Sequence, residues 1–168
     1  MANSHSTKRA ALLELADKIK AQAESLHAYL EESGHSQPSW DANDEGPPET
    51  VVYEDIRTEL AACLEDLQML VDGPKRFLRS WLTAGIELAA LQTAFALRLF
   101  QLVPLQKGIS LESLAAKADV DADIVARVLR MLATRRIFHE KEPGVFSHSA
   151  ISALIHRDEE IRCSGEYS

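Results

Sequence analysis

Three histidines and a short serine-rich stretch are the residues of this sequence whose types could support catalysis or metal binding. His139, His148 and His156 lie in the last third of the chain, and His148 stands between Ser147 and Ser149. A metal site needs several converging ligands, commonly at short paired spacings, and no cysteine pair accompanies these histidines. Adjacent side chains of an extended segment point to opposite faces, so the serines and the histidine do not form a nucleophilic set. We predict no metal site and no catalytic residue, and we interpret Ser149 as a helix cap.

The glycines argue against a nucleotide site. A Gly-x-Gly turn removes Cβ atoms where a cofactor approaches the backbone, and no two of the seven glycines are close enough to form one. They stand at Gly34, Gly46, Gly73, Gly85, Gly108, Gly144 and Gly165. We therefore predict no cofactor-binding residue in this chain.

Four arginines, Arg127, Arg130, Arg135 and Arg136, raise the question of DNA binding. Arginines on the second helix of a helix-turn-helix often contact DNA, mostly from its N-terminal part. Here that part carries the acidic residues at positions 121 and 123, and the net charge of the chain is -8. Acidic side chains repel phosphates, so nucleic acid is not the predicted partner.

Length and composition indicate a globular protein. The chain has 168 residues, of which 46% are hydrophobic. This suits one ordinary domain with a core of its own. Cys63 and Cys163 do not make a disulfide framework, which indicates a reducing compartment. No apolar run reaches the roughly 18 residues of a membrane span, and the N-terminus does not resemble a signal peptide. The expected location is the cytoplasm.

The first half of the chain predicts four helices from apolar residues at helical spacing. They cover residues 7–32, 50–71, 74–82 and 84–103. Between the first two, residues 33–49 are rich in Gly, Pro, Ser and Asp, which predicts a mobile linker.

The second half of the chain predicts shorter helices and a β-hairpin. Ser110 can cap a helix over 111–118, and either Asp121 or Asp123 can begin a second one that ends near Arg136. Two short apolar strands around a Pro-Gly turn then predict a β-hairpin, and a last helix follows over 149–156. Residues 163–168 show no periodicity. The order helix, turn, helix and hairpin predicts a winged helix-turn-helix.

These elements give a mainly α fold, with a helical N-terminal dimerisation region and a winged helix-turn-helix that has a short β-hairpin. We divide the chain into an N-terminal helix and linker (1–49), a helical dimerisation region (50–104) and a winged-helix region (105–168).

A homodimer is predicted because the helix over 84–103 is apolar around most of its circumference, and such a helix is buried on several sides. The residues proposed for the dimer interface are Phe77, Trp81, Leu88, Leu91, Phe95, Leu99 and Leu102.

Four segments resemble a known family in order and spacing. Residues 96–104 (ALRLFQLVP) resemble the helix before the wing in plant-type and fungal O-methyltransferases, and residues 109–115 (ISLESLA) their "SLEELA" helix. Residues 127–133 (RVLRMLA) resemble their "R-L-L-R-x-L-A" helix, and residues 146–154 (FSHSAISAL) the segment that closes their N-terminal domain. The long linker and leading helix are similar to fungal members, which often serve secondary metabolism. One departure is Phe100, which stands where the family usually has glycine.

This resemblance implies the role of a dimerisation and substrate-capping domain. In the family a Rossmann-like domain follows, which binds S-adenosylmethionine and carries the catalytic base. No such domain is predicted here, so the chain alone is not expected to bind that cofactor or to transfer methyl groups. Phe95 and Phe100 are the candidates to cover a hydrophobic or aromatic substrate.

Two other functions remain open from the sequence. One is a winged-helix transcription regulator, which a basic patch on the wing and the second helix would favour. The other is an auxiliary protein that binds or cyclises a hydrophobic pathway intermediate, which a large enclosed apolar pocket would favour. The sequence also leaves open whether the chain is part of a longer protein or a natural short one.

Overall fold

The computed structural model describes residues 3–166, which fold mainly into helices with one small antiparallel sheet, as the sequence predicts. In chain order the elements are α1 (Asn3–Glu32), α2 (Val51–Ala96), α3 (Leu99–Leu102), β1 (Ile109–Ser110), α4 (Leu111–Ala118), α5 (Ala122–Thr134), β2 (Phe138–Glu142), β3 (Val145–His148), α6 (Ala150–Arg157) and α7 (Glu159–Glu166). None of the described helices is long and apolar enough to cross a lipid bilayer.

The chain divides into two compact units. The first unit comprises residues 1–38 and 47–82, and the second comprises residues 39–46 and 83–168. Helix α2 contributes residues to both. Residues 39–46, which we call the strap, lie inside the predicted linker and group with the second unit.

The first unit consists of α1 and the part of α2 before residue 83. Gly34, at φ 72°, follows α1, and the N–H of His35 donates to the carbonyl of Leu30 at 2.9 Å. A left-handed glycine in this place ends the helix, as the sequence predicts. Thr50 precedes α2, and its Oγ1 lies 2.7 Å from the hydroxyl of Tyr29.

Helix α2 is kinked at Gly73. Its φ of 64° and ψ of 169° belong to a backbone region that is essentially restricted to glycine. Pro74 follows and has no N–H to continue the helical ladder. The predicted break between residues 71 and 74 is therefore a kink. The break predicted near residue 83 is absent, because α2 continues to Ala96.

A second difference interrupts the helix predicted over 84–103. Arg98 adopts φ 55° and ψ 31°, so α2 ends at Ala96 and α3 begins at Leu99. Arginine has no preference for this left-handed region, and periodicity gave no signal for it. The turn directs Leu99 and Phe100 into the core, where neither is exposed to solvent.

One hydrophobic core holds the second unit together. Phe100 stacks on Phe138, with ring centroids 5.2 Å apart, and contacts Phe95 at 4.8 Å. The other large side chains that are fully buried in this core are Leu99, Val103, Leu114, Val125, Leu129, Leu132 and Phe146. The core thus joins α3, α4, α5 and the sheet.

Helix caps and strand pairing fix the order of the elements around this core. Ser110 Oγ accepts from the N–H of Ser113 at 3.3 Å, and the carboxylate of Asp121 accepts from the N–H of Asp123 at 2.8 Å. The predicted capping role of Ser110 is confirmed, and Asp121 is the residue that begins α5. Strand β3 lies between β1 and β2 and is antiparallel to both, so the predicted hairpin gains a third strand.

The last two helices close the described chain. Ser149 caps α6 in a capping box with Ser152, as the sequence predicts for Ser149. Helix α7 was not predicted, since residues 163–168 show no periodicity; residues 167–168 lie outside the described residues. Gly165 of α7 lies so close to Phe95 that a Cβ there would overlap its ring.

The strap is held by contacts with Ala150, Arg136 and Arg157 of the second unit. The carbonyl of Trp40 accepts from the N–H of Ala150 at 3.2 Å, and the guanidinium of Arg136 lies 5.1 Å from the centre of the Trp40 ring. The Nη2 of Arg157 donates to the side-chain oxygen of Asn43 at 3.4 Å.

Candidate functional site

The structure separates the residues predicted for a dimer interface into two groups. Trp81 in the first unit and Leu88 in the second are 70% and 53% exposed. Phe77, Leu91 and Leu102 are half-buried. Phe95 and Leu99 lie inside the core of the chain, with 6% and 0% of their surface exposed. The interface remains a prediction, and its accessible members are Trp81 and Leu88.

The residues predicted to cover a substrate are also inside the core. Phe95 and Phe100 contact each other, and α7 lies against the outer edge of Phe95 through Gly165. In this conformation the chain itself occupies the aromatic faces that a substrate would use. Sequence periodicity did not reveal this, because α7 was not foreseen and the turn at Arg98 changes where Phe100 points.

The first unit exposes an apolar surface on α2. Leu78, Trp81 and Leu82 are between 61% and 78% exposed. Beside the kink at Gly73 there is also a groove of about 540 Å³, whose lining includes Leu15, Met69, Leu70, Pro74 and Phe77. Among the described side chains of this unit, Leu30 and Tyr53 are the buried apolar ones. An apolar surface this large relative to the core is typical of an interaction site.

The second unit has its own apolar groove, between α2 and α5. Its volume is about 350 Å³, and its lining includes Ile86, Ala89, Thr93, Ile124 and Met131. Ile86 and Ile124 are about half exposed. The sequence analysis did not single out Ile86 as a surface residue.

The buried histidine of this unit serves a structural role. His148 is 4% exposed, its Nε2–H donates to the carbonyl of Val103 at 3.0 Å, and its Nδ1 accepts from the hydroxyl of Ser152 at 2.9 Å. Burial lowers the pKa of His148 to about 4, so the ring is neutral near pH 7. It ties the end of α3 to α6, and His156 adds a bond from its Nδ1 to the carbonyl of Phe100 at 2.7 Å.

The three histidines named in the sequence are not brought together. His148 and His156 are neighbours, with ring centroids 5.4 Å apart, whereas the Nε2 of His139 lies 3.4 Å from the carbonyl of Trp40. Within residues 3–166, no three His, Cys, Asp or Glu side chains are grouped in a way that could hold a metal ion.

Three of the four arginines considered for DNA contacts are engaged within the second unit. Arg130 forms a bidentate ion pair with Glu140, and this pair lowers the pKa of the Glu140 carboxyl. Arg135 pairs in the same way with Glu87, with Nε and Oε2 2.7 Å apart. Arg136 lies over the ring of Trp40. Helix α5 therefore does not present a free basic face.

Comparison with known proteins finds a family that matches part of the chain. The family described as O-methyltransferase dimerisation domain matches residues 81–158. O-methyltransferase sol2 of Alternaria solani is 52% identical over 94% of this chain and 37% of its own length. Chlorophenol O-methyltransferase of Trichoderma longibrachiatum is 33% identical over 88% of this chain and 32% of its own length.

The solved structures agree on the fold. The crystal structure of OxaC in complex with SAH and oxaline superposes with a TM-score of 0.66 over 92% of this chain and 34% of that chain, at 19% identity. The chain spans about a third of the length of the relatives it matches. The similarity therefore concerns one part of these longer proteins.

Proposed function

Because residues 81–158 belong to the family of O-methyltransferase dimerisation domains, we propose that the chain forms a homodimer and caps the substrate site of a small-molecule O-methyltransferase. The proposal includes a role in secondary metabolism, which the resemblance to fungal members implies, and a phenolic acceptor, which the name of the Trichoderma relative supports. S-adenosylmethionine would be bound by a separate cofactor domain. The free cysteines Cys63 and Cys163 are compatible with a cytoplasmic location.

The observation that carries the dimer proposal is the exposed apolar surface of the first unit. Leu78, Trp81 and Leu82 expose most of their surface to water, while the described part of this unit buries little. Obligate homodimer interfaces are large and mostly apolar, often above about 2,000 Å² in total. A second copy that covers these side chains would remove them from water and give the first unit the core that it lacks.

A winged-helix arrangement of α4, α5 and the hairpin fits this role better than it fits DNA binding. Three of the four arginines, Arg130, Arg135 and Arg136, are paired with carboxylates or stacked on Trp40. Asp121 and Asp123 stand at the start of α5. The strap also covers part of the hairpin. A regulator would need both surfaces free for phosphates.

Sedimentation at several protein concentrations tests the dimer. We expect the unaltered chain to sediment with twice the mass of one chain, and Trp81→Glu to shift it to the monomer because a carboxylate in an apolar interface lacks a partner. Arg76→Glu is the control, since it reverses a charge on an exposed position of the same helix and should leave the dimer intact. A well-folded monomer of the unaltered chain at micromolar concentration would remove this proposal.

The capping role is tested in a longer protein that joins this domain to a cofactor domain, such as a fusion to that of the sol2 relative. Removing residues 81–158 should raise the KM for the acceptor and leave the affinity for S-adenosylmethionine unchanged. An unchanged KM for the acceptor would contradict capping.

A further inference from the structure

We propose that the second unit binds a small, flat, uncharged aromatic molecule in a pocket between the strap and the outer face of the sheet. The pocket has a volume of about 580 Å³, which lies within the roughly 300–1,000 Å³ typical of small-molecule sites. All of its lining residues belong to the second unit, so the inference is independent of the proposed dimer.

The floor of the pocket follows from the alternation of side chains along β3. Phe146 faces the core, whereas Val145 and Ser147 lie on the other side of the strand and line the pocket. His139 of β2 pairs with Ser147 across the sheet and lines the same surface. The floor thus combines one aliphatic side chain, one hydroxyl and one imidazole.

Ser147 is the residue of this floor whose hydroxyl favours a ligand that can form a hydrogen bond. Its Oγ is buried, and no described residue forms a hydrogen bond with it. A buried hydroxyl without a partner carries the cost of its lost hydration. After a rotation of the Ser147 side chain, a hydroxyl or carbonyl of a bound molecule would supply the missing bond, which would favour binding at this depth.

Trp40 supplies the aromatic wall. Its backbone is anchored to Ala150 and its ring lies next to the guanidinium of Arg136, yet 54% of the residue is exposed. A ring that is already held in place offers contact area at a low cost in entropy. Leu105 and Ala42, both half-buried, extend this apolar wall.

The charges at the rim indicate an uncharged ligand. Lys107 and Lys141 line the pocket together with Asp41 and Glu142, so that two positive charges are balanced by two negative ones. A charged molecule would lose its hydration without meeting a net opposite charge. A neutral aromatic ring that carries one hydroxyl or carbonyl matches both the balanced rim and the floor.

Titration of the isotope-labelled chain with 2-naphthol at pH 7, followed by amide and indole chemical shifts, tests the pocket. We expect saturable shifts at the Trp40 indole and at the amides of His139 and Ser147. Naphthalene-2-carboxylate and 2-naphthylmethylammonium have the same ring system but carry a charge, and they should bind at least about tenfold more weakly. Shifts confined to the apolar groove between α2 and α5, or equal affinity for the three probes, would overturn the proposal.

Two serine substitutions, one in the pocket and one outside it, make the test specific. Ser147→Ala should weaken 2-naphthol binding about tenfold, while the temperature of unfolding stays the same or rises because the hydroxyl has no partner in the free chain. Ser113→Ala is the control, because Ser113 does not line the pocket. Unchanged affinity for 2-naphthol in Ser147→Ala, or a clear loss of thermal stability, would contradict the role proposed for the Ser147 hydroxyl in binding.

Discussion

The two units of this chain are both rich in helices with apolar residues, but they bury these residues to very different extents. In the second unit, helices of several directions and a sheet enclose Phe100, Phe138 and Phe146 completely. In the first unit, Leu82 keeps 78% of its surface exposed. A pair of helices covers one stripe of each partner and leaves the others in water. An apolar pattern therefore predicts burial, but it does not say whether the covering partner is in the same chain.

This contrast implies that the free energy of unfolding is concentrated in the second unit, whereas the first unit depends on association. Substitutions that match in chemistry and differ in unit should therefore have very different effects on the isolated chain.

The largest effect is expected from truncation of the central aromatic ring. Phe100→Ala removes a fully buried side chain that contacts Phe95 and Phe138, and it should lower the free energy of unfolding by about 3–5 kcal/mol. Val51→Ala in the first unit, where 78% of the residue is exposed, should change it by less than about 0.5 kcal/mol. Urea denaturation followed by circular dichroism measures both. Similar losses in the two variants would break the contrast between the units.

An intermediate effect is expected from the protonation of His148, a buried residue of the second unit. The pKa of His148 in the folded chain, about 4, lies below that of an unfolded histidine, near 6.5, so the unfolded chain takes up this proton first. The contribution of the neutral His148 to the free energy of unfolding is complete above pH 6.5, and it is lost as the pH falls to about 4. The loss should be on the order of 2 kcal/mol, because solvent screens part of the charge.

The control for this effect is His148→Gln, in which the free energy of unfolding should fall less steeply between pH 6.5 and pH 4 than in the unaltered chain. Denaturation series at several pH values give both slopes. Identical slopes would show that His148 does not titrate in this way.

A smaller effect is expected at two glycines of α2. Gly73→Ala places a Cβ on a residue at φ 64°, which should cost about 1–3 kcal/mol or straighten the kink. Gly85→Ala is the matched change in a regular, open part of the same helix, and it should raise stability by about 0.5–1 kcal/mol. Thermal unfolding with helicity as the readout distinguishes them. Effects of the same sign would contradict the assigned kink.

The smallest effect is expected at exposed ion pairs. Glu140→Gln in the second unit removes a pair with Arg130 and weakens a bond from the N–H of Gly144 at 2.9 Å. Glu54→Gln in the first unit removes an ion pair with Arg57, which lies three residues further along the same helix. We expect the first loss to exceed the second, and salt to abolish most of both, because solvent screens exposed pairs. Melting curves at low and high salt test the order, and a larger loss for Glu54→Gln would reverse it.

The sequence predicted most of the helices, the hairpin and the caps, because these depend on local spacing and on residues such as Ser110 and Ser149. It did not predict the turn at Arg98 or helix α7. The left-handed conformation of an arginine is strained, and the burial of Phe100 offsets that strain. Helix α7 has only eight residues and is polar, and an isolated helix this short is not stable in water, so its formation depends on the surface it covers.

The residues predicted for the dimer interface differ in their exposure, for a related reason. Periodicity placed Phe95 and Leu88 on a helix that needs burial on several faces, but it could not assign each face to the chain or to a partner. That assignment depends on what covers each residue in three dimensions. Gly165 lies against Phe95, whereas Leu88 remains half exposed.

The position of the strap determines when it can dock during folding. Trp40 meets His139 after 99 residues of chain, and Asn43 meets Arg157 after 114. Closing loops of this length costs entropy that local contacts do not offset, so the hairpin and α6 must form before the strap can settle on them. During synthesis on the ribosome, the strap emerges long before residue 157. Its contact with Arg157 can therefore form only after that residue has been added. Fluorescence of Trp40 should therefore report the last step of folding, after helix formation has finished.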